Sequence, residues 1–204
     1  MSILQLIKHP KTFLKDNAVW VANEFAWQAT GVANTKVWPV TLRRTKNKSC
    51  KTHDGADMPC WEIGIAKDHD MALAYYLPYV KNRTKEMTID NKARLFLTDT
   101  LDGCTFAYNG GGTAKVAHIN YTLGQVDDAK IDQVEIDQEV NRLFPTGAST
   151  LKKGDYQTAT MSNVTVIGVL RETGAWEFVY QKRDYKGLGH TTQDFELVSV
   201  HRVR

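Results

Sequence analysis

The sequence predicts an α+β fold that is dominated by antiparallel strands, with one helix inserted in the second half of the chain. From residue 37 onward, most segments are rich in β-branched and aromatic residues, and several alternate apolar with polar positions. Gly, Pro, Asn and Asp bound most of these segments. One later segment, 127–144, changes to a helical period. With 204 residues and no linker or repeat, the chain is expected to form a single domain, 1–204.

The N-terminal elements are less regular. Residues 2–8 predict a short helix, and their apolar run stops before Pro10, so no Sec-type signal peptide is expected. A second helix is predicted to begin near Asp16, because Val21 and Phe25 lie about one helical turn apart. The same segment also fits an extended strand, and the sequence leaves both alternatives open.

Strands are predicted through most of the remaining chain. The polar stretch 82–91 is expected to be a loop or a short helix that leads into the next strand. Two hairpins are expected, one around the glycine-rich turn 109–112 and one around Thr173-Gly174. The predicted strands are 37–42, 61–65, 72–80, 94–97, 105–108, 115–121, 156–170, 176–183 and 195–203.

Segment 127–144 has the clearest helical pattern in the chain. Ile136, Val140 and Leu143 recur at the spacing of one helix face. Pro145, directly after the pattern, cannot continue a helix and predicts its end. The sequence therefore places one amphipathic helix after the strand 115–121.

Composition argues against two classes of protein. Hydrophobic residues make up 42% of the chain and charged residues 24%, and no apolar run approaches the roughly 20 residues that cross a bilayer. The net charge of +3 is small, and the one basic run, 43–51, is interrupted by uncharged residues. We therefore expect binding neither to a membrane nor to a nucleic acid.

A cysteine and a histidine mark the predicted site. The segment 95–104 reads as an apolar strand and an acidic turn that ends in Gly103-Cys104, and His118 follows fourteen residues later on the next strand. On facing arms of a hairpin, cross-strand Cβ atoms lie about 4.5–5.5 Å apart. An imidazole at that distance can take the proton of a thiol that is mostly protonated at neutral pH. Cys104 is therefore the predicted nucleophile and His118 its base.

The imidazole must also be oriented, because only one of its nitrogens can face the thiol. Thr98, six residues before Cys104, could accept from the other nitrogen through its hydroxyl or its carbonyl oxygen. Asp99 and Asp102 could do the same, but aspartates in turns mostly cap local backbone. We therefore rank Thr98 first.

Two further roles are predicted around the same turn. The backbone amides of Gly103 and Cys104 could donate to a developing oxyanion, and glycine leaves room for close approach. Asn109 and Asn120 are secondary candidates for contacting a substrate amide, because an Asn side chain both donates and accepts.

The stretch 98–104, Thr-Asp-Thr-Leu-Asp-Gly-Cys, together with His118 resembles the catalytic segment of a known superfamily. This superfamily comprises Burkholderia lethal factor, the catalytic domains of cytotoxic necrotizing factors and the chemoreceptor glutamine deamidases. The resemblance covers about a fifth of the chain, from Leu77 to Tyr121, and matches Thr98, Cys104 and His118 to the histidine-orienting threonine, the nucleophile and the base. Asp102 stands where the lethal factor often has serine.

The resemblance implies a protein-glutamine deamidase of the bacterial toxin or effector type. The implied fold is an α+β, mostly antiparallel β-sandwich flanked by helices, with neither a metal nor an organic cofactor. The implied partner is a protein substrate with a reactive glutamine, such as a host regulatory or translation protein, and the enzyme is expected to be a monomer. We expect it to reside in the bacterial cytoplasm before delivery to a target cell without a Sec signal.

Several alternatives stay open from the sequence. A cysteine peptidase or a transglutaminase could use the same Cys/His pair. A non-enzymatic β-rich binding module could instead present its tryptophans on a protein or sugar surface. Cys50, His53 and Cys60 could hold a metal, or the two cysteines could form a disulfide. The tryptophans in question are Trp20, Trp27, Trp38, Trp61 and Trp176.

Overall fold

The large sheet of this protein curls until its two edges nearly meet. The computed structural model describes residues 2–25, 36–67, 70–123, 130–157, 162–188 and 193–204. Among these residues, nine strands form one mixed, barrel-like sheet, and four others form a small antiparallel sheet. Helices are few and short.

The large sheet mixes parallel and antiparallel neighbours. Its parallel pairs are β1 (Ala18–Val21) with β4 (Cys60–Ile65), β5 (Ala72–Leu77) with β7 (Leu95–Thr98), and β15 (Gln193–Arg202) with β3 (Lys48–Lys51), and its other pairs are antiparallel. In spatial order its strands are β1 (Ala18–Val21), β4 (Cys60–Ile65), β2 (Val37–Arg44), β5 (Ala72–Leu77), β7 (Leu95–Thr98), β13 (Ser162–Leu170), β14 (Trp176–Leu188), β15 (Gln193–Arg202) and β3 (Lys48–Lys51).

The small sheet carries the hairpin that was predicted around the glycine turn. Its strands, in spatial order, are β12 (Ser149–Leu151), β8 (Thr105–Gly110), β9 (Ala114–Asn120) and β6 (Arg83–Ile89). A separate two-stranded pair joins β10 (Thr122–Leu123) to β11 (Lys130–Ile131). Within the described ranges, the helices with both ends defined are α1 (Ile3–Lys8), α2 (Pro10–Asp16), α3 (Gln133–Leu143) and α4 (Lys153–Tyr156). No helix within the described ranges is long and apolar enough to span a bilayer.

Apolar layers hold these elements together. One face of the large sheet packs against α1 and α2 through residues such as Leu6 and Leu97. Its other face packs against the small sheet, where Phe96 and Phe178 of the large sheet meet Phe106 of β8. The outer face of the small sheet is covered by α3. The inter-sheet layer is the one that contains the candidate site.

A further cluster lies where the two edges of the large sheet approach each other. Trp20 on β1, Cys50 on β3 and Phe195 on β15 are buried together there. The guanidinium of Arg183 lies 4.3 Å from the centroid of the Trp20 ring and is itself fully buried. Packing across this gap is what makes the sheet nearly closed.

The predicted fold class is wrong. The α+β, mostly antiparallel β-sandwich flanked by helices is replaced by a nine-stranded mixed sheet that nearly closes on itself, with a small antiparallel sheet beside it. Alternation of apolar and polar residues indicates that a segment is extended, but it does not identify the neighbouring strand. The three parallel pairs join segments that are distant in sequence, so their pairing depends on tertiary packing.

The N-terminal predictions are partly confirmed. The first helix is present, and Ser2 caps it by accepting from the Leu4 N–H. The helix predicted to begin near Asp16 is wrong, since α2 begins at Pro10 and ends at Asp16, whereas the alternative of an extended strand is confirmed for Ala18–Val21. Proline favours the first turn of a helix because its missing N–H is not needed there. The following residues form β1, which is buried along its whole length and therefore shows no alternation.

Other segments show how polarity misled the prediction. The stretch 82–91 is mostly the strand β6, in which only Met87 and Ile89 are buried. The helix predicted over 127–144 is confirmed for Gln133–Leu143 as α3, which Asp132 caps by accepting from the Glu135 N–H. Residues Lys130–Ile131, within the predicted range, form the strand β11 instead. Residues 127–129 lie outside the described residues. Both predicted hairpins are confirmed by the β8–β9 and β13–β14 pairings.

Candidate functional site

The β8–β9 hairpin directs three of the predicted site residues to one face of the small sheet. Phe106 pairs with His118, which places Cys104, just before β8, beside Asn120 near the end of β9. Directly opposed residues of an antiparallel pair point to the same face. Cys104, His118 and Asn120 therefore all face the inter-sheet layer, with Cys104 and His118 on a diagonal.

Thr98, at the end of β7, holds the imidazole. The Thr98 Oγ1 lies 2.9 Å from the His118 Nδ1 and also donates to the Leu77 carbonyl oxygen at 2.9 Å. A hydroxyl has one proton, and a carbonyl oxygen can only accept. The proton of Thr98 is therefore used on Leu77, so the Nδ1 of His118 must carry the hydrogen that bridges to Thr98. The neutral ring then has its lone pair on Nε2.

The Nε2 of His118 is buried and has no hydrogen-bond partner within the described part of the chain. His118 is only 2% exposed, and burial lowers its pKa to about 3 because the charged ring would lose its hydration. At neutral pH the residue is thus an uncharged base, with its unprotonated nitrogen in the inter-sheet layer.

The sulfur of Cys104 is buried in the same layer. The residue is 3% exposed, and burial raises its pKa to about 11. Two donors oppose that effect, namely the Asn120 side-chain amide, whose Nδ2 lies 3.3 Å from the sulfur, and the backbone N–H of Asp102. Since Nε2 of His118 has no partner, the sulfur and the imidazole are not hydrogen-bonded to each other in this closed arrangement.

Tyr156 on α4 fixes the turn that precedes the cysteine. Its hydroxyl accepts from the Gly103 N–H at 2.9 Å and donates to the Cys104 carbonyl oxygen at 2.7 Å. Gly103 has a φ of 92°, a conformation that favours glycine, and a Cβ there would lie 3.1 Å from Cδ1 of Ile131. The Gly103 N–H, which we predicted as an oxyanion donor, therefore already donates to the Tyr156 hydroxyl.

No sequence pattern pointed to Tyr156 as a site residue. It lies more than fifty residues after Cys104 in the chain and reaches the turn only because α4 packs against β13. A single tyrosine before a strand resembles any other core aromatic residue. Only the folded chain brings its hydroxyl between two backbone groups of the turn.

The two acidic residues of the turn do not contact His118. Asp99 accepts from the Tyr76 hydroxyl and, at 2.7 Å, from the Tyr79 backbone N–H, and burial raises its pKa. Asp102 is exposed. The Tyr79 ring lies 5.6 Å from the imidazole and is 40% exposed, so it separates His118 from solvent on that side.

The two asparagines that we considered for substrate contact lie in different places. Asn120 is buried, with its Oδ1 accepting from the Asn82 N–H at 3.1 Å and its Nδ2 on the sulfur. Asn109 lies five residues after Cys104, which corresponds to about 17 Å along an extended strand. Because side chains alternate along a strand, Asn109 also points to the opposite face of the small sheet from Cys104. The structure therefore does not bring Asn109 to the cluster.

A cavity of about 400 Å³ lies beside the turn. Thr100 and Asp102 line one side of it, and Lys48 lies on another, with its Nζ 4.9 Å from the centroid of the Trp20 ring. This cavity opens next to the segment that carries Cys104, and it is large enough for a side chain of another protein.

The residues of the other hypotheses are dispersed. Cys50 and Cys60 are buried free thiols, whereas His53 is exposed and bonds to Glu196. In the described ranges, no group of three or more His, Cys, Asp or Glu side chains could hold a metal ion. The structure buries Trp20, Trp38 and Trp176 and half-buries Trp61, so these rings do not form an exposed strip, and Trp27 lies outside the described residues.

Comparisons with known proteins identify no relative for this chain. No family model matches the sequence, and no curated protein matches it either. A functional proposal must therefore rest on the short motif around Cys104 and on the arrangement of the side chains described above.

Proposed function

We propose that this protein hydrolyses the side-chain amide of a glutamine in another protein, with Cys104 as nucleophile and His118 as general base. The observation that carries the proposal is the contact of Thr98 with Nδ1 of His118, which assigns the ring hydrogen to Nδ1 and leaves Nε2 without a proton on the same face as the sulfur. The resemblance of segment 98–104 to glutamine deamidases supports the choice of substrate.

The reaction proceeds through a thioester. Nε2 of His118 takes the thiol proton while the Cys104 sulfur attacks the carboxamide carbon, and the C–N bond then breaks as the same proton passes to the leaving ammonia. In the second stage, a water molecule gives one proton to Nε2 as its oxygen attacks the thioester. The sulfur leaves and recovers that proton, and the carboxylic acid that remains releases its own proton to solvent, so the glutamine has become glutamate.

The pKa values favour proton transfer during attack over a preformed ion pair. The thiol has a raised pKa, and the imidazole a lowered one, in both cases because of burial. Neither group is charged at neutral pH, so the imidazole acts as a general base on a neutral thiol. Both groups lie in a closed layer, and we propose that the glutamine side chain enters beside Tyr79, the partly exposed ring next to His118.

A bacterial toxin or effector that modifies a host or rival protein is the biological setting we propose for this chemistry. Conversion of glutamine to glutamate replaces a neutral donor and acceptor with an anion, which can break or create contacts in the target. This part of the proposal is supported by the motif alone.

The test compares the wild type with Cys104→Ser, a variant that keeps the size of the side chain and removes the thiol. Each protein is incubated with a lysate of candidate target cells, and glutamine-to-glutamate conversion is located by peptide mass spectrometry. We expect conversion at one or a few sites with the wild type and none with the variant, whose thermal unfolding should stay close to that of the wild type. Equal conversion by both proteins would refute the proposal.

Two outcomes of the same experiment would indicate other cysteine chemistry. If a primary alkyl amine is added and becomes attached to the target glutamine, the enzyme is a transglutaminase. Cleavage of the target chain would identify a peptidase. Both activities would use the same Cys/His pair.

The burial of Cys104 favours one alternative of a different class, a non-enzymatic β-rich binding module in which the cysteine is a core residue. At 3% exposure the sulfur packs among the apolar side chains of the inter-sheet layer. If Cys104 resisted a small alkylating reagent as completely as the buried Cys50, and no conversion were seen, this alternative would be preferred.

A further inference from the structure

Asn120 has both ends of its side-chain amide engaged inside the protein. Its Oδ1 accepts from the Asn82 backbone N–H at 3.1 Å, and its Nδ2 donates to the Cys104 sulfur at 3.3 Å. A backbone N–H can only donate, so the amide cannot rotate without placing two donors face to face. The direction of the amide is thus set by the backbone of Asn82.

Asn82 is itself held in an uncommon conformation. Its φ of 53° lies in the left-handed region, which Asn tolerates better than most residues. Its side-chain oxygen accepts from the Thr122 N–H at 3.1 Å and from the Thr122 hydroxyl at 2.6 Å. Thr122 therefore fixes Asn82, and Asn82 fixes Asn120.

The sulfur thus has an oriented donor whose effect depends on its charge. A neutral thiol is a weak acceptor, whereas a thiolate accepts charge-assisted hydrogen bonds that are about twice as strong. The Asn120 amide and the Asp102 backbone N–H both face this atom. These two donors therefore stabilise the sulfur more strongly as negative charge develops on it.

We infer that Asn120 is a catalytic residue that stabilises the negative charge developing on the Cys104 sulfur, and that it does not recognise the substrate amide. The role of Asn120 in turnover rests on the proposed function. In both stages negative charge develops on the sulfur, once as its proton passes to His118 during attack and once as it leaves the thioester. Asn120 serves both stages without moving.

The chain offers an internal reference for the test. Cys50 is buried to a similar degree, and burial raises its pKa to about 11 as well. It packs in the separate cluster at the gap between the sheet edges, to which neither Cys104 nor Asn120 belongs. Global opening of the fold exposes both thiols, so the ratio of their alkylation rates reports only the local environment of Cys104.

The experiment measures alkylation of each cysteine by iodoacetamide at pH 8, resolved by peptide mass spectrometry. Asn120→Leu removes the donor, and Asn120→Asp keeps the acceptor for Asn82 while placing a carboxylate at the sulfur. A hydrogen bond to a charged group corresponds to about one to two pKa units, so we expect the Cys104-to-Cys50 ratio to fall about 10- to 100-fold in Asn120→Leu and further in Asn120→Asp.

Asn91→Asp provides the matched control, because it makes the same chemical change in an exposed turn at the opposite end of β6 from Asn120. Its ratio should equal that of the wild type. A purely structural role for Asn120 predicts the reverse trend, since loosening the hairpin exposes Cys104 and raises the ratio. A ratio that is unchanged or higher in both Asn120 variants overturns the inference.

The outcome is separable from that of the proposed function. A reduced ratio with no glutamine conversion by the wild type would keep the inference about the sulfur and reject the deamidase. If the wild type converts glutamine and both variants keep the same ratio and the same kcat, the deamidase assignment stands and the inferred role of Asn120 is rejected.

Discussion

The hydroxyl of Thr98 controls which nitrogen of His118 carries the proton, and Thr98→Val tests this directly. Valine has nearly the same shape as threonine, so it fills the same space without offering an acceptor to Nδ1 or a donor to Leu77. Thr98 is fully buried, so water cannot replace the lost oxygen.

The magnitude follows from the two bonds. An unsatisfied buried N–H on the imidazole costs about 1–3 kcal/mol, and the lost bond to the Leu77 carbonyl about 1 kcal/mol. We therefore expect Thr98→Val to lower the free energy of unfolding by roughly 2–4 kcal/mol. Thr98→Ser keeps the hydroxyl and loses one buried methyl group, which costs about 1 kcal/mol.

The deciding readout is the tautomer, which ¹⁵N NMR of the imidazole ring reports at pH 7. In the wild type and in Thr98→Ser, we expect the hydrogen on Nδ1 and a bare Nε2. In Thr98→Val, the hydrogen should move to Nε2, which would also remove the general base and lower any deamidase rate by about 100-fold or more. A wild-type ring protonated on Nε2, or a valine variant with an unchanged ring and unchanged stability, would refute this assignment.

Two further predictions concern buried charge. His118 has a pKa near 6.5 when unfolded and about 3 when folded, so between these values only the unfolded chain binds the proton and stability falls as the pH is lowered. Between pH 7 and pH 5, the free energy of unfolding measured with urea should fall by about 2 kcal/mol because of this residue, and His118→Gln should lack that part of the decrease. The same pH dependence in the wild type and in His118→Gln would contradict the prediction. Arg183→Lys should lower the free energy of unfolding by roughly 2–4 kcal/mol, because a lysine has three donors where five N–H groups now serve buried acceptors. The exposed Arg142→Lys is its control, and equal stability of the two variants would contradict the role of the buried guanidinium. Its acceptors are Val19 O, Gln181 Oε1, Asn163 Oδ1 and Thr165 Oγ1.

Local sequence patterns predicted many of the elements correctly. The apolar period of 127–144 and the glycine turn at 109–112 led to α3 and to the β8–β9 hairpin. These features depend on contacts between residues that are close in the chain, which is why spacing and turn chemistry suffice to predict them. The strand β6 was missed because only Met87 and Ile89 are buried against the large sheet and its other side chains are polar.

The sequence by itself also indicated which side chains to examine, since Thr98, Cys104 and His118 stand at the ends of predicted strands. It could not show that the Thr98 proton is used on Leu77, that Tyr156 closes the turn, or that Asn120 donates to the sulfur. Those contacts join segments twenty or more residues apart, or depend on the direction of a single amide.

Contacts between segments that are distant in the sequence also determine the closure of the large sheet. Strand β3 pairs with β15 from the other end of the chain, and the edges meet through Trp20 and the buried Arg183. Local composition determines that a segment is extended and which of its faces is apolar. The choice of neighbour, and with it the barrel-like sheet and the burial of the thiol, is made by long-range packing among many similar apolar strands.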